Sequence, residues 1–329
     1  MSQLIKLQDF ISRYEQDIYH YSSQFVHVKN EEWSRLKKAY EAGDLSRYLI
    51  GGEMDSPSLE EDTRPFRQRI KKFFLKERGE VREEAAVSVK QEKPPIEAPR
   101  FLRTVPEDEQ ELKQSFLDYF YPFQLKWAVT ASDEGPLHLG RYQFDRNLRF
   151  FLQRIPDNCL VLYKPVLEWK NAPVELEIIL LTPSEAWCLT MLEAEDDAVF
   201  VGGKDRFWTR THHDKADKKV LDPTITLKRM QWILEQIFAA KDMVFPIRKG
   251  IICRNGYINQ LHTSIDQEII DKRRFDDWFS SIRHNRSAMK NLQLKAAQAL
   301  LAYGSSIRNN KEEELMDNHG ESRSERGFS

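Results

Sequence analysis

Apolar positions recur at three- and four-residue steps through the first part of the chain. Leu4, Leu7, Phe10, Ile11, Tyr14, Ile18 and Tyr21 fall on one face at that spacing, so residues 4–42 are expected to be helical. Within them "NEEWSRLKKAYEAGD" reads as a second helix, with Asn30 as its N-cap and Gly43 near its stop. In residues 64–76, "RPFRQRIKKFFLK", a stripe of Phe66, Ile70, Phe73 and Phe74 sits between Arg and Lys. Such a segment suits a helix packing one face on a core, or one lying on phosphates or anionic lipid. The period then disappears. Residues 77–105 are highly charged and contain the pair Pro94-Pro95, the signature of a flexible linker, and limited proteolysis should cut first within 77–100. Pro106 and the acids after it open a helix, which Pro122 should end or kink.

From about residue 139 the pattern changes class. "YQFDRNLRFFLQRIPDN" is an amphipathic helix stopped by Pro156. Runs rich in β-formers follow at about 159–169, 174–182 and 186–194, then "AVFVGGKDRFWTR". "DPTITLKRMQWILEQIFAAK" is a helix with Leu227, Met230, Ile233, Leu234 and Ile237 inward, and "VFPIRKGIIC" a buried strand. "QEIIDKRRFDDWFSSI" and "RSAMKNLQLKAAQALLAYG" close the chain as helices, with Gly304 at the last stop. The expected organisation is a helical region over 1–76, a linker over 77–105, a connecting helix over 106–138, a domain over 139–308 and a disordered tail over 309–329. Helix, several consecutive strands, helix, strand is the order of an α/β or α+β fold with a mixed sheet flanked by helices.

Composition narrows the partners. Hydrophobic residues make up 40%, enough for a sizeable core, and charged residues 31%, with a net charge of −2. That balance excludes a globally basic nucleic-acid binder but leaves room for a local basic face. Residues 241–308 hold 12 Lys and Arg against 6 Asp and Glu. Arg248, Lys249, Lys272, Arg273 and Arg274 lead the candidates for contact with DNA or RNA, with Arg254, Arg283, Arg286, Lys290 and Lys295 beside them. The chain opens with no signal-like segment, and no apolar run approaches membrane-spanning length. Cys159, Cys188 and Cys253 lie far apart in apolar runs, as buried thiols in a reducing cytoplasm do, and their spacing does not suit zinc. His212 and His213 are adjacent on a loop, where their rings should point apart with no third ligand near.

Carboxylates pose the sharper question. Glu175 and Glu177 alternate along one expected strand, and Glu193, Glu195, Asp196 and Asp197 close the next. Four stretches in order, "VELEIILLTPSEAWCLTM", "GGKDRFWTR", "LDPTITLKRMQWILEQIF" and "FPIRKGIIC", resemble the nuclease-related domain (NERD) family. This is a mainly bacterial branch of the PD-(D/E)XK nuclease fold, and the resemblance covers about residues 140–282. It implies Mg²⁺ or Mn²⁺ held by hard carboxylate oxygens from neighbouring strands, and a Lys that stabilises charge developing on phosphorus. The family pattern asks for a Glu in the first helix, Glu-x-Asp on one strand, Glu-x-Lys on the next and a Gln in the following helix. Here the first helix offers Asp145, Arg146 and Asn147, and Glu177 stands where Asp is expected. No Lys follows in Thr190–Glu193, and Thr226 takes the Gln position.

The resemblance therefore implies a degenerate nuclease-related protein that binds or assembles without cutting and needs no cofactor. Two other classes stay open on the sequence. One is an active metal-dependent phosphodiesterase with a rearranged site, using Glu175, Glu177 and Glu193 as catalytic residues and Glu175 and Glu177 as metal ligands. The other is a scaffold whose N-terminal helices dock a protein partner.

Overall fold

The computed structural model describes residues 1–50, 100–129, 136–203, 205–260, 267–285 and 287–304. The basic stripe at 64–76, most of the expected linker and the tail at 309–329 lie outside them. In chain order the strands are β1 (Gln3–Leu7), β2 (Leu160–Tyr163), β3 (Val166–Trp169), β4 (Ala172–Glu175), β5 (Ile178–Leu181) and β6 (Ala186–Met191). They continue with β7 (Val199–Gly202), β8 (Phe207–His212), β9 (Lys215–Leu221), β10 (Ile247–Cys253), β11 (Tyr257–Gln260) and β12 (Gln267–Asp271). The helices are α1 (Ile18–Glu41), α2 (Glu109–Ala128), α3 (Arg146–Arg154), α4 (Pro223–Ala239), α5 (Phe275–Arg283) and α6 (Asn291–Leu301). The chain forms two compact units, Val28–Phe120 and the larger Met1–His27 with Tyr121–Ser329.

A six-stranded mixed sheet, ordered β1-β2-β5-β6-β10-β12, is the centre of the larger unit. β2, β5 and β6 form an antiparallel meander, while β1 joins β2, and β10 and β12 join β6, in parallel. "LVLY" and "IILL" are buried at every position, so β2 and β5 are covered on both faces and read as continuous apolar runs. α4 crosses from β9 to β10 and packs on β6 and β10 through Leu227, Met230, Ile233, Leu234 and Ile237. Asp222 caps it, accepting from the Thr224 amide at 2.8 Å, with Pro223 just inside. A second sheet, β11-β7-β8-β9, and a separate hairpin of β3 and β4 complete the architecture, a mixed-sheet α+β arrangement as expected.

Several elements differ from the sequence reading. Residues 3–7 form a strand rather than the start of a helix. Leu4 and Leu7 fit a helical period, but β1 gains a parallel ladder on β2, with one irregularity between Leu4 and Lys6, and buries all five residues, which no isolated turn offers. Even Lys6 is buried, its Nζ donating to Glu15 Oε1 at 2.7 Å and to the Phe10 carbonyl at 2.9 Å. α1 starts only at Ile18 and runs unbroken through Asn30, which lies exposed in mid-helix where its cap signal has no turn to close. α2 continues past Pro122 to Ala128. One lost amide bond is outweighed there by the burial of Phe120, Tyr121, Phe123, Leu125 and Trp127.

The long β-runs split. Lys164, with φ +48, turns the chain out of the main sheet before Pro165, and Leu176–Glu177 return it. Between them β3 and β4 close over Lys170-Asn171 with φ of +52 and +60, the left-handed pair of a tight hairpin turn. β9, "KADKKVL", has no apolar alternation and forms an exposed edge strand on β8. Residues 267–282 divide into β12 and α5, because a parallel ladder to β10 captures the first five.

In the smaller unit Trp33 and Phe116 lie 5.3 Å apart and Lys37 pairs with Glu109 at 2.7 Å. Residues 101 and 102, expected in the linker, are packed: Phe101 stacks on Tyr119 at 4.3 Å and Leu102 is buried. Among the described residues no helix is long and apolar enough to cross a membrane.

Candidate functional site

The registers bring Leu7, Tyr163, Ile178, Met191, Cys253 and Asp271 to one edge of the six-stranded sheet. The parallel strands end there, which is where open α/β sheets present ligand-binding residues. Just beyond it stand Gln8, Glu177, Glu193 and Arg254, with the N-terminus of α3 beside them.

The α3 N-terminus is built around Asp145. Its Oδ1 accepts from the Asn147 and Leu148 amides, both at 2.9 Å, and its Oδ2 accepts from Tyr163 Oη at 2.8 Å. Burial, then the Asp145 charge with the Tyr121 and Glu177 charges beyond it, pushes the Tyr163 phenol far above its ordinary range. Tyr163 is thus a standing proton donor toward Asp145. Tyr121 is raised by burial as well, and its hydroxyl donates to the Tyr142 carbonyl at 2.7 Å. Arg149 lies over the Tyr121 ring, 4.7 Å from its centre.

Arg254 is the pivot of the edge. Its guanidinium pairs with Glu193, donates to Asn147 Oδ1 at 2.7 Å and lies 4.8 Å over the Phe150 ring. The sequence placed Arg254 only among surface cations. Its position directly after the buried run of β10 was the available signal, since a strand's last residue projects onto the site edge.

Glu175 and Glu177 do not share a strand. Glu175 ends β4, exposed and paired with Val166, while Glu177 lies half-buried between β4 and β5. Among the described residues no hydrogen bond or ion pair engages the Glu177 carboxylate. Glu175, Glu177 and Glu193 do not converge to metal-ligand distance. At this edge Asp145 accepts from two amides and a phenol, and a guanidinium pairs with Glu193.

The acidic run after β6 is open to solvent and carries ion pairs. Glu195 pairs with Arg210 at 3.1 Å and Lys215 at 2.8 Å, and Asp197 with Lys272 at 2.7 Å. Lys215 and a backbone amide lower the Glu195 carboxyl to about 2. Lys272 lowers that of Asp197.

The five leading cations do not make one basic face. Arg248 pairs with Glu268 and, at 3.8 Å, with Glu185. Lys249 is buried inside the sheet, Lys272 is taken by Asp197, and Arg273 is held by Asp271. Only Arg274 of the five has no such partner among the described residues. Acids scattered through the sequence are brought by the sheet edge and the loops to the cations.

His212 and His213 also depart from expectation. Their rings lie 4.2 Å apart, and with Asp214 they form a set whose ligand atoms lie within 4.8 Å of one another. The tight turn from β8 to β9 gathers them, and their own hydrogen bonds account for the arrangement. His212 Nδ1 accepts from the Asp214 amide at 3.1 Å, and His213 Nε2 meets Asp214 Oδ2 at 2.9 Å.

The three cysteines are free and buried, as expected. Burial raises the thiols of Cys159 and Cys188 to about 12 and that of Cys253 to about 11, so none is a ready nucleophile.

Comparison with known proteins gives one short likeness. The chain is 50% identical over 42 residues to an RNA 2',3'-cyclic phosphodiesterase of Geobacillus stearothermophilus. The matched stretch spans 13% of this chain and 13% of that protein. No family model matches the chain. No solved structure matches it either.

Proposed function

We propose that about residues 140–282 are a nuclease-type core whose metal centre has been replaced by an internal lock, and that the protein acts by binding or assembly rather than by cutting. The element order α3, β2, β5, β6, α4, β10, with three antiparallel strands and a fourth added in parallel after a crossing helix, supports the core that the nuclease-related resemblance implies. The observation that carries the reading is Arg254. It fixes a permanent positive charge between Glu193 and Asn147, at the edge where that resemblance expects an ion. A divalent cation there would meet a guanidinium instead of a carboxylate cage.

Phosphodiester chemistry on RNA is the second reading. It is favoured by the 42-residue likeness to an RNA 2',3'-cyclic phosphodiesterase and by the unengaged Glu177 carboxylate beside Tyr163.

Both readings are tested together. Purified protein is incubated with single- and double-stranded DNA and RNA in Mg²⁺ or Mn²⁺, and with a 2',3'-cyclic phosphate. No cleavage is expected, because losing one preorganised charge donor typically costs about 10²–10³ in rate and several are lost here. Metal-dependent cleavage that vanishes in Glu177→Ala would overturn the proposal. Binding is read by fluorescence anisotropy at two salt concentrations. Affinity that falls steeply with salt marks phosphate contact, and its absence at low salt points to a protein partner.

A further inference from the structure

The outer face of α4 presents an aromatic ring that the core does not use. Trp232 is 44% exposed. A single open apolar side chain needs no explanation, but this ring is held in place by its neighbours. The β3–β4 hairpin supplies Trp169, whose ring meets that of Trp232 in a T-shaped contact at 5.6 Å. Trp169 in turn packs on Tyr303 at 5.9 Å, and the Glu168 amide beside it donates to the Tyr303 carbonyl at 2.7 Å. The left-handed turn at Lys170-Asn171 carries the Lys170 Nζ to 5.6 Å from the centre of the Trp232 ring. The hairpin belongs to neither larger sheet, and it buttresses one exposed indole.

The same face is basic. Lys228 and Arg229 are exposed and lie one helical turn before Trp232. Arg229 donates to the Glu175 carbonyl at 2.9 Å, which ties α4 to the end of β4 and leaves the guanidinium without a carboxylate. Lys228 pairs with no other described residue. The acids of the hairpin face elsewhere. Glu168 pairs across with Pro173 and Glu175 with Val166, so strand alternation puts both on the face away from Trp169. The acid of α4, Glu235, accepts from Gln231 at 2.9 Å. On the hairpin and α4, Lys170, Lys228 and Arg229 therefore stand about the ring against one carboxylate.

A fixed, open indole among cations suits a planar ring that brings an anion with it. A nucleobase with its phosphate is such a ligand. In a duplex the faces of the bases are stacked on one another and closed to a side chain, so the strand must be single. An apolar protein surface would leave the three cations without a counter-charge. We propose that Trp232 is a stacking platform for a base of single-stranded nucleic acid, with Lys170, Lys228 and Arg229 on the adjoining phosphates. This site rests on the binding reading of the proposed function, and adds to it the form of the strand and the surface that receives it.

Fluorescence anisotropy of the full chain tests it, with labelled oligothymidine, oligouridine, a DNA duplex and an abasic strand, each of about 20 nucleotides. At least one of the two single strands is expected to bind about tenfold more tightly than the abasic strand. Trp232→Ala should weaken that binding about tenfold and remove the preference for bases, while Trp232→Phe should keep most of both. Lys170→Ala and Lys228→Ala should each reduce the slope of log affinity against log salt by about 0.7, and Trp232→Ala should leave the slope unchanged. Single strands that bind the parent protein and Trp232→Ala equally would overturn this site and leave the proposed function standing. So would an abasic strand or a duplex that binds as tightly as both single strands. No binding of any oligonucleotide at low salt would overturn the site together with a nucleic-acid role, and would assign the face to a protein. Cleavage of a strand whose binding is still lost in Trp232→Ala would overturn the proposed function and support the site.

Discussion

The strand ends at the Arg254 edge and the exposed face of α5 treat charge in opposite ways. At the Arg254 edge Asp145 accepts from two amides and a phenol, and Glu193 and Asn147 share one guanidinium. At the start of α5, by contrast, the exposed Arg274 and Asp277 side chains pair with no other described residue. Closed polar networks hold a structure in one state, because each group would be costly to leave alone. Open groups cost the fold little and are available to a ligand. By this criterion the polar groups of the Arg254 edge contribute to the fold, and the side chains of Arg274 and Asp277 add little to it.

The comparison breaks most visibly at its two aspartates. Asp145→Ala removes the α3 cap, worth about 0.5–2 kcal/mol, and orphans the buried Tyr163 hydroxyl, worth about 1–3 kcal/mol. A loss of at least about 2 kcal/mol in urea unfolding is expected. Asp277→Asn, which breaks no described contact, should stay within about 0.5 kcal/mol of the parent protein. Equal effects would erase the distinction.

Arg254→Ala sharpens the comparison from the other side. It frees Glu193 and removes the bond to Asn147, at a cost of about 1 kcal/mol for a pair still partly open to water. It also removes the charge that opposes a cation. Binding of Mn²⁺, followed by calorimetry, should be stronger in Arg254→Ala than in the parent protein. An unchanged Mn²⁺ affinity would show that Arg254 does not keep the edge metal-free.

The smallest effect concerns the ion pairs after β6. The Glu195 carboxyl is lowered from the ordinary 4.5 to about 2, chiefly by Lys215. A depressed carboxyl contributes stability that is present above its unfolded value and lost as pH falls through its folded one. Between about pH 4.5 and 2 the Glu195 contribution should therefore fade, and Glu195→Gln should flatten that part of the stability profile. The group is exposed, so added salt should shrink the difference. A profile identical in the two proteins would remove Glu195 from those ion pairs.

The sequence by itself determined the elements whose pattern is long and unambiguous. α4 was legible from five apolar positions and an Asp-Pro start, and β2, β5 and β6 from β-branched and leucine runs that suit burial on both faces. The mixed-sheet class followed from their order. The Asp145 position at the start of α3 and the absence of a Lys after β6 were also legible in the sequence. Tertiary structure decided the rest. Residues 3–7 carry a pattern compatible with helix or strand, and only the open edge of β2, more than 150 residues away, chose the strand. Pro122 reads as a helix stop, yet the aromatic residues around it bury together and carry the helix through. Glu175 and Glu177 look like one strand's pair until Lys164 and Leu176 divert the chain into a separate hairpin. Arg254 and Lys272 look free in sequence because their partners, Glu193 and Asp197, lie 60 residues or more away. Periodicity records which side of an element is apolar. It carries no record of which distant edge or charge that element meets, and burial and pairing energies across the sheet settle that choice.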